Sequence, residues 1–429
     1  MEEYLPKGWV KSEIGKIFSI ITGNTPSKKY PEYYGNEIPW VKPADINRNI
    51  VLVESEEYLS NLGSTKARML PVGAVMVTCI GNLGYVAIAG KTCATNQQIN
   101  SIVDKTGKFN NKFIYYFSLR LKPWLTENST STTISMVNKS VFSKAPIFFP
   151  PRPEQDRIVA KVDVLMAQVA TMQKSLERIP QLLKDFRQQV LTQAVTGKLT
   201  DVKVIENKLG DLLEDVKYGT SKKSLYEVEG TPILRIPNIK QGEIDDTDLK
   251  FSNLDDKEFE KLKLQVGDVL IIRSNGSVSI VGQSAIIRDK HIDYSYAGYL
   301  IRLRCKESLD PEFLNYSLLS NFLRTQIVES ARSTSGVNNI NSTEIKGLMI
   351  LIPETIEEQK EIVRRIESLF KQADNIEGKY QTLKTKIDSL PQSILHKAFK
   401  GELVEQLPTD GDAADLLMEI EGLKMIKAK

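Results

Sequence analysis

The sequence predicts an α+β protein in which two similar globular domains are separated by two long antiparallel coiled-coil helices. This is an internal duplication with a pseudo-two-fold arrangement. Three observations predict it. The chain aligns with itself at an offset of 204 residues, each copy ends in an unbroken heptad seam, and short β-rich runs precede each seam.

The duplication is plainest between Glu154 and Leu403, where no gap is needed: Glu154-Gln155 falls on Glu358-Gln359, Ile158-Val159 on Ile362-Val363, Ala194 on Ala398 and Gly197 on Gly401. Upstream the match is looser. Ile14-Gly15 resembles Leu209-Gly210, Val72-Gly73 resembles Val266-Gly267, and Pro39-Trp40-Val41-Lys42 resembles Pro232-Ile233-Leu234-Arg235. A period near 200 residues is far longer than a solenoid unit, so a whole domain and its spacer have been copied.

The chain divides on this basis into a globular domain (1–152), a helical spacer (153–200), a second domain (201–352), a second spacer (353–404) and a C-terminal tail (405–429). In the first domain Val75–Thr78 reads as a strand and Phe113–Leu121 as a helix. The first spacer has apolar residues at Ile158, Val162, Leu165, Val169, Met172, Leu176, Ile179, Leu183, Phe186 and Val190, in steps of four and three. In the second domain Val269–Ile272 and Leu300–Arg304 read as strands and Glu312–Ser330 as helix. The second spacer repeats the register with Ile362, Ile366, Leu369, Ala373, Ile376, Tyr380, Leu383, Ile387, Leu390 and Ile394. Such a/d seams make helices supercoil, and two in one chain satisfy each other most simply as an antiparallel pair. Each segment starts after a proline and ends at a glycine, and 43 residues of helix span roughly 65 Å. Pro180, Gly378 and Pro391 lie inside the seams, where they can kink or interrupt the helices.

Composition bounds the function more weakly. With 429 residues, 41% hydrophobic and 26% charged, the chain reads as a globular protein of several domains. No apolar run approaches membrane-spanning length, and the acidic start Met1-Glu2-Glu3-Tyr4 lacks the apolar stretch of a secretory signal. Cys79, Cys93 and Cys305 are scattered and odd in number, as expected of reduced thiols in a cytoplasmic protein. A net charge of +3 does not announce a nucleic-acid binder, so a DNA-binding role requires basic groups concentrated on one face.

The polar loops supply candidates. In the first domain these are Thr22–Tyr30, Asn96–Gln98 and Ser129–Thr133; in the second, Tyr218–Lys223, Arg273–Gly276 and Ser330–Ser335 followed by Asn338-Asn339. Lysines and hydroxyls suit phosphate oxygens, whereas Arg, Asn and Gln can bond a base edge at two points. On this chemistry Thr25, Ser27, Lys28, Lys29, Thr132, Lys222 and Lys223 are expected to meet the DNA. Arg48, Asn96, Gln97, Arg273, Asn275, Arg332 and Asn338 complete the set, chiefly as base readers.

Catalytic signatures are missing. Gly84–Thr92 has five residues between its glycines where a phosphate-binding loop needs four, and the intervening residues read as a strand. There is no GxGxxG loop and no Asn-Pro-Pro-Tyr or Asn-Pro-Pro-Phe tetrapeptide. The two histidines, His291 and His396, cannot build a histidine-rich metal site, and no catalytic or metal-binding residue is assigned.

In order and spacing, Leu5-Pro6-Lys7-Gly8-Trp9, Ile38-Pro39-Trp40, Pro150-Pro151 with Glu154-Gln155-x-x-Ile158-Val159, Glu358-Gln359-x-x-Ile362-Val363, and Leu390-Pro391-Gln392-Ser393-Ile394-Leu395 leading to Gly401-Glu402-Leu403 resemble the specificity subunit of Type I restriction-modification systems. The resemblance covers essentially the whole chain. It implies two target recognition domains, each reading one half of a bipartite site in double-stranded DNA. It further implies that the chain is non-catalytic and partners two methyltransferase subunits and translocating restriction subunits. S-adenosylmethionine, ATP and Mg would then be bound by those partners and not by this chain. The second copy lacks an aromatic residue matching Trp40 and the Leu-Pro-x-Gly-Trp entry, so the half-sites need not be related. Two rival readings are a free-standing enzyme with a fused methyltransferase or nuclease, disfavoured by the missing motifs, and a coiled-coil scaffold, which leaves the β-rich domains unexplained.

If the helix pair is the ruler, half-sites should lie about one duplex turn apart, roughly 34 Å. Inserting one heptad into Ile158–Val190 and its partner segment should then alter the spacer length and leave the half-site sequences unchanged. Selection of bound sites from a random DNA pool checks this, and changed half-sites around an unchanged spacer would refute it.

Overall fold

The computed structural model describes residues 5–46, 49–130, 134–331 and 337–428. The chain forms two compact units, one of residues 1–175 with 384–429 and the other of residues 176–383.

The central sheet of the first unit has strand order Ser19–Thr22, Ile99–Val103, Val75–Thr78, Val86–Ala89, Val51–Leu52. That of the second unit runs Leu213–Tyr218, Leu300–Cys305, Val269–Ile272, Ser284–Ile286, which is the same order without the last edge strand. Each unit adds a two-stranded ladder, Val10–Glu13 with Pro146–Phe149 and Val204–Lys208 with Met349–Pro353. Each also carries a second sheet containing a parallel pair, Ile38–Val41 with Cys93–Thr95 and Thr231–Leu234 with Ser295–Tyr296. Parallel neighbours in so short a stretch need long crossovers, which is why the pairing is invisible in local pattern.

The loose upstream matches become equivalences at atomic level. Lys42 N donates to Asp45 Oδ2 at 2.8 Å, and Arg235 N donates to Asn238 Oδ1 at 2.8 Å. Gly73 and Gly267 both adopt positive φ and bond the carbonyls of Ala89 and Ile287. Only glycine takes that backbone without strain, which accounts for its recurrence.

One helix in each unit covers its central sheet, Asn111–Leu119 and Pro311–Leu319. Each begins on a side-chain cap: Asn110 accepts from the amides of Lys112 and Phe113, and Asp310 accepts from the amide of Phe313. The helix expected over Glu312–Ser330 is two, because Ser320 is extended and caps a second helix, Asn321–Ser330.

Of the three residues expected to kink or interrupt the spacer helices, Pro180 alone interrupts one. The second spacer is a single helix, Ile356–Ala398, that runs past Gly378 and Pro391. The first is two helices, Arg152–Leu176 and Ile179–Val195, with Pro180 near the start of the latter. Proline offers no N–H to the Leu176 carbonyl and its ring crowds it, so the ladder stops there. Gly197 and Gly401, at φ of 74° and 71°, end the two segments as expected.

Within each unit the spacer helices pack antiparallel. In the first, Ile158, Val159 and Val162 share a core with Leu395, Ala398 and Phe399, and further along Gln173 bonds Asp388. In the second, Val190, Leu191 and Ala194 share a core with Ile362, Val363 and Ile366, while Arg187 bonds Asp374 and Glu377. Met172, Phe186, Ile376 and Leu383 in mid-seam are 37% to 51% exposed, since a lone helix pair encloses only one side of each knob.

The duplicated Glu-Gln pair joins helix to domain. Gln155, fully buried, accepts from the Asn110 amide and donates to the Pro150 carbonyl. Gln359, equally buried, accepts from the Asp310 amide and donates to the Ser308 carbonyl. The glutamates diverge. Glu358 closes a cap with Thr355, whereas buried Glu154 accepts from Trp9 Nε1 at 3.0 Å, and burial raises its carboxyl above the ordinary range. Trp9 belongs to the entry motif that has no second copy. The tail closes the first unit: Arg157 grips Asp410 with two bonds of 2.7 and 2.6 Å, and Ala413 N bonds the Gly8 carbonyl.

Gln359→Leu strands the buried Asp310 amide, and should destabilise the chain by about 1–3 kcal/mol in denaturant titration. A loss below about 0.5 kcal/mol would contradict the anchoring role. The Arg157 guanidinium holds the Asp410 carboxyl below its ordinary value. A depressed carboxylate stabilises the fold above that value and ceases to as pH falls through the folded-state value. Asp410→Asn should therefore lower the melting temperature at pH 6, with the gap to the parent closing in strong acid.

Candidate nucleic-acid interface

The candidate loops Thr22–Tyr30, Asn96–Gln98, Tyr218–Lys223 and Arg273–Gly276 gather at one end of each central sheet. In the first unit Ile99 starts its strand beside Thr22, while the far end leads through Val103 to Asn110 and the Gln155 anchor. In the second, Leu300 and Tyr218 lie at one end, and Cys305 leads towards Asp310 and Gln359 at the other. The polar loops thus sit at the end of the sheet away from the spacer anchor.

Both ends share a backbone plan. Asn24 N bonds the Thr95 carbonyl and Thr220 N bonds the Tyr296 carbonyl, each at 2.9 Å. Gly23 and Gly219 precede them, and a Cβ at either would collide with those same carbonyls. Cys79 N bonds the Gln98 carbonyl and its own carbonyl takes the Val137 amide; Arg273 does the same with Tyr299 and Ile340. Cys79 and Arg273 therefore hold equivalent places, as do Gln98 and Tyr299.

On this plan the side chains differ. In the first unit, Asn24 donates to the Lys66 carbonyl and accepts from the Arg68 amide, and Arg68 Nη1 bonds the Thr22 carbonyl at 3.0 Å. Lys66 and Arg68 thereby join the loop that carries exposed Ser27, Lys28 and Lys29. Gln97 is exposed and accepts from Thr25 Oγ1 at 2.6 Å. Asn96 is buried with both ends of its amide bonded to Gln98, which gives it a loop-holding role.

In the second unit, Ser274 and Asn275 pair with Asn339 and Asn338 in a two-residue ladder. Asn275 accepts from the Ser277 amide and Asn338 donates to the Gly276 carbonyl, so both side chains brace this ladder. Arg273 lies over the Tyr218 ring, 4.8 Å from its centroid. Lys223 is exposed. Lys222 pairs with Glu258 at 2.7 Å and Asp255 at 3.5 Å, and Glu258 raises its pKa. Arg48, Thr132 and Arg332 lie outside the described residues.

Reading the loops alone missed Lys66, Arg68 and Tyr299. The first two are near in space and about 40 residues distant in sequence. Tyr299, 63% exposed beside Gly298, had a usable signal in its glycine-aromatic pair. Among the described residues no cluster of three or more His, Cys, Asp or Glu is placed to hold a metal ion. No helix there is long and apolar enough to cross a membrane. The rejected phosphate-loop segment contains the buried strand Val86–Ala89.

A family model described as the Type I restriction modification DNA specificity domain matches residues 6–181 and again 202–385. The chain is 31% identical over 422 residues to the Type I restriction enzyme EcoKI specificity subunit of Escherichia coli K12, covering 94% of this chain and 90% of that one. It is 26% identical over 424 residues to the MjaIX specificity subunit of Methanocaldococcus jannaschii, covering 94% and 95%. Among solved structures, a chain from a study of complex assembly and conformational transition of the type I R-M system superposes with a TM-score of 0.70 at 20% identity, covering 93% of this chain and 99% of that one. The HsdS subunit of Thermoanaerobacter tengcongensis gives 0.64 at 19% identity, covering 94% and 99%. With both halves matched by one family model, on the same sheet order and the same glutamine anchor, the chain belongs to the family of Type I restriction-modification DNA specificity subunits.

Proposed function

We propose that this chain is the non-catalytic reader of a bipartite DNA target, one half-site per globular domain, and that it directs methyltransferase and restriction subunits to that target. The observation that carries this is the twice-built sheet whose polar loop end lies away from the spacer anchor.

The domain division is proposed as 1–152 and 201–352 for recognition, 153–200 and 353–404 for the spacers, and 405–429 for the tail. Lys28, Lys29 and Lys223, with Ser27, take phosphates; Gln97, held by the Thr25 hydroxyl, and Arg273 take base edges. Asn96, Asn275 and Asn338 act by holding their loops. Lys66 and Arg68 join the phosphate set of the first domain. Two methyltransferase subunits supply S-adenosylmethionine chemistry, and the restriction subunits use ATP with Mg.

Lys28→Gln with Lys29→Gln should weaken DNA binding and flatten its dependence on log salt by about 0.9 for each phosphate no longer neutralised. Lys222→Gln should change the slope less, because Glu258 and Asp255 already neutralise that ammonium. Gel shifts of the full chain at two salt concentrations measure both, and binding that ignores salt would refute the proposal.

A further inference from the structure

Resting on that recognition reading, we infer that Arg273 reads a guanine in the half-site taken by residues 201–352, and that Tyr218 and Asn339 position it for this.

Arg273 leaves the strand Val269–Ile272 at the loop end of the sheet. Its guanidinium stacks on Tyr218, and its Nε donates to Asn339 Oδ1 at 3.2 Å. Both supports are themselves held. The Tyr218 hydroxyl accepts from the Ser342 amide at 2.9 Å, and Asn339 pairs with Ser274 in the ladder. Stacking on an aromatic face with one fixed bond orders a side chain that is otherwise flexible.

What sets Arg273 apart is how it spends its donors. Every other described arginine of this domain commits a terminal nitrogen internally. Arg235 bonds Asp248, Arg288 bonds Glu243 and Glu312, Arg302 bonds Asp215, Arg304 bonds Asp268, and Arg324 bonds the Val281 and Ser279 carbonyls. Among the described arginines of this domain Arg273 alone uses only Nε, leaving Nη1 and Nη2 without an acceptor among the described residues.

A planar pair of donors matches two acceptors side by side, which both guanine, through O6 and N7, and a phosphate provide. A phosphate tolerates a mobile cation, whereas a base edge needs the fork at a set angle. The ordered guanidinium therefore favours the base. At the equivalent place the first domain has Cys79, buried and with its thiol pushed up to about 12 by burial, so guanine reading there belongs to one half-site only.

The test is selection of bound sites from a random duplex pool by the full chain, with Arg273→Lys and Asn339→Ala beside the parent and each melting profile recorded. Lysine keeps the charge and loses the fork. The expected result is a two-part site in which one guanine of a single half-site becomes degenerate, with discrimination down on the order of 10- to 100-fold. Asn339→Ala should relax the same position by less. Unchanged guanine preference, loss at both half-sites, or a change confined to salt dependence in Arg273→Lys would each overturn the inference. A parent chain that enriches no site would overturn the recognition reading and this inference with it.

Discussion

Everything a reader domain does here depends on a buried glutamine. Gln155 and Gln359 each satisfy one backbone amide and one backbone carbonyl where the domain meets the spacer helix. A buried amide with both ends bonded has one low-energy position, and leaving either partner bare costs more than the bond itself contributes. Because Asn110 and Asp310 also cap the helices that cover the two sheets, this joint sets helix and sheet together. A domain whose loops must be presented to a long rigid ligand needs such a joint.

Around it the two copies have drifted where drift is tolerable. Backbone geometry at Gly23 and Gly219, Gly73 and Gly267, and Asp45 and Asn238 has been kept, since each position answers a steric or hydrogen-bonding demand of the fold. At the loop end the same backbone plan carries different side chains, as Cys79 against Arg273 and Gln98 against Tyr299 illustrate. The glutamates beside the anchors follow the same logic. Glu358 caps its own helix, while Glu154 faces Trp9 and the returning tail, which exist only where the chain starts and ends.

The spacer helices place stability and interruption side by side. Their ends are fused into the domain cores, whereas mid-seam apolar residues stay half in water. Pro180 breaks one helix where Pro391 does not break the other. Side-chain links such as Arg187 with Asp374 and Glu377 hold the second unit's pair where apolar enclosure is thin.

The sequence by itself determined the duplication, the heptad register, the helix ends at Gly197 and Gly401 and the strands at Val75–Thr78 and Val269–Ile272, because each rests on interactions local enough to leave a period or a turn residue. Family resemblance supplied the reading function. Only the tertiary structure decided which polar loop residues are free to meet a ligand. Asn96, Asn275 and Asn338 carry the right chemistry and spend it on their own loops, Lys222 is neutralised by Glu258, and Arg273 keeps its fork. Those outcomes turn on hydrogen-bond partners up to 66 residues away. A donor's availability is fixed by which acceptors the fold brings to it, and no pattern along the chain records that.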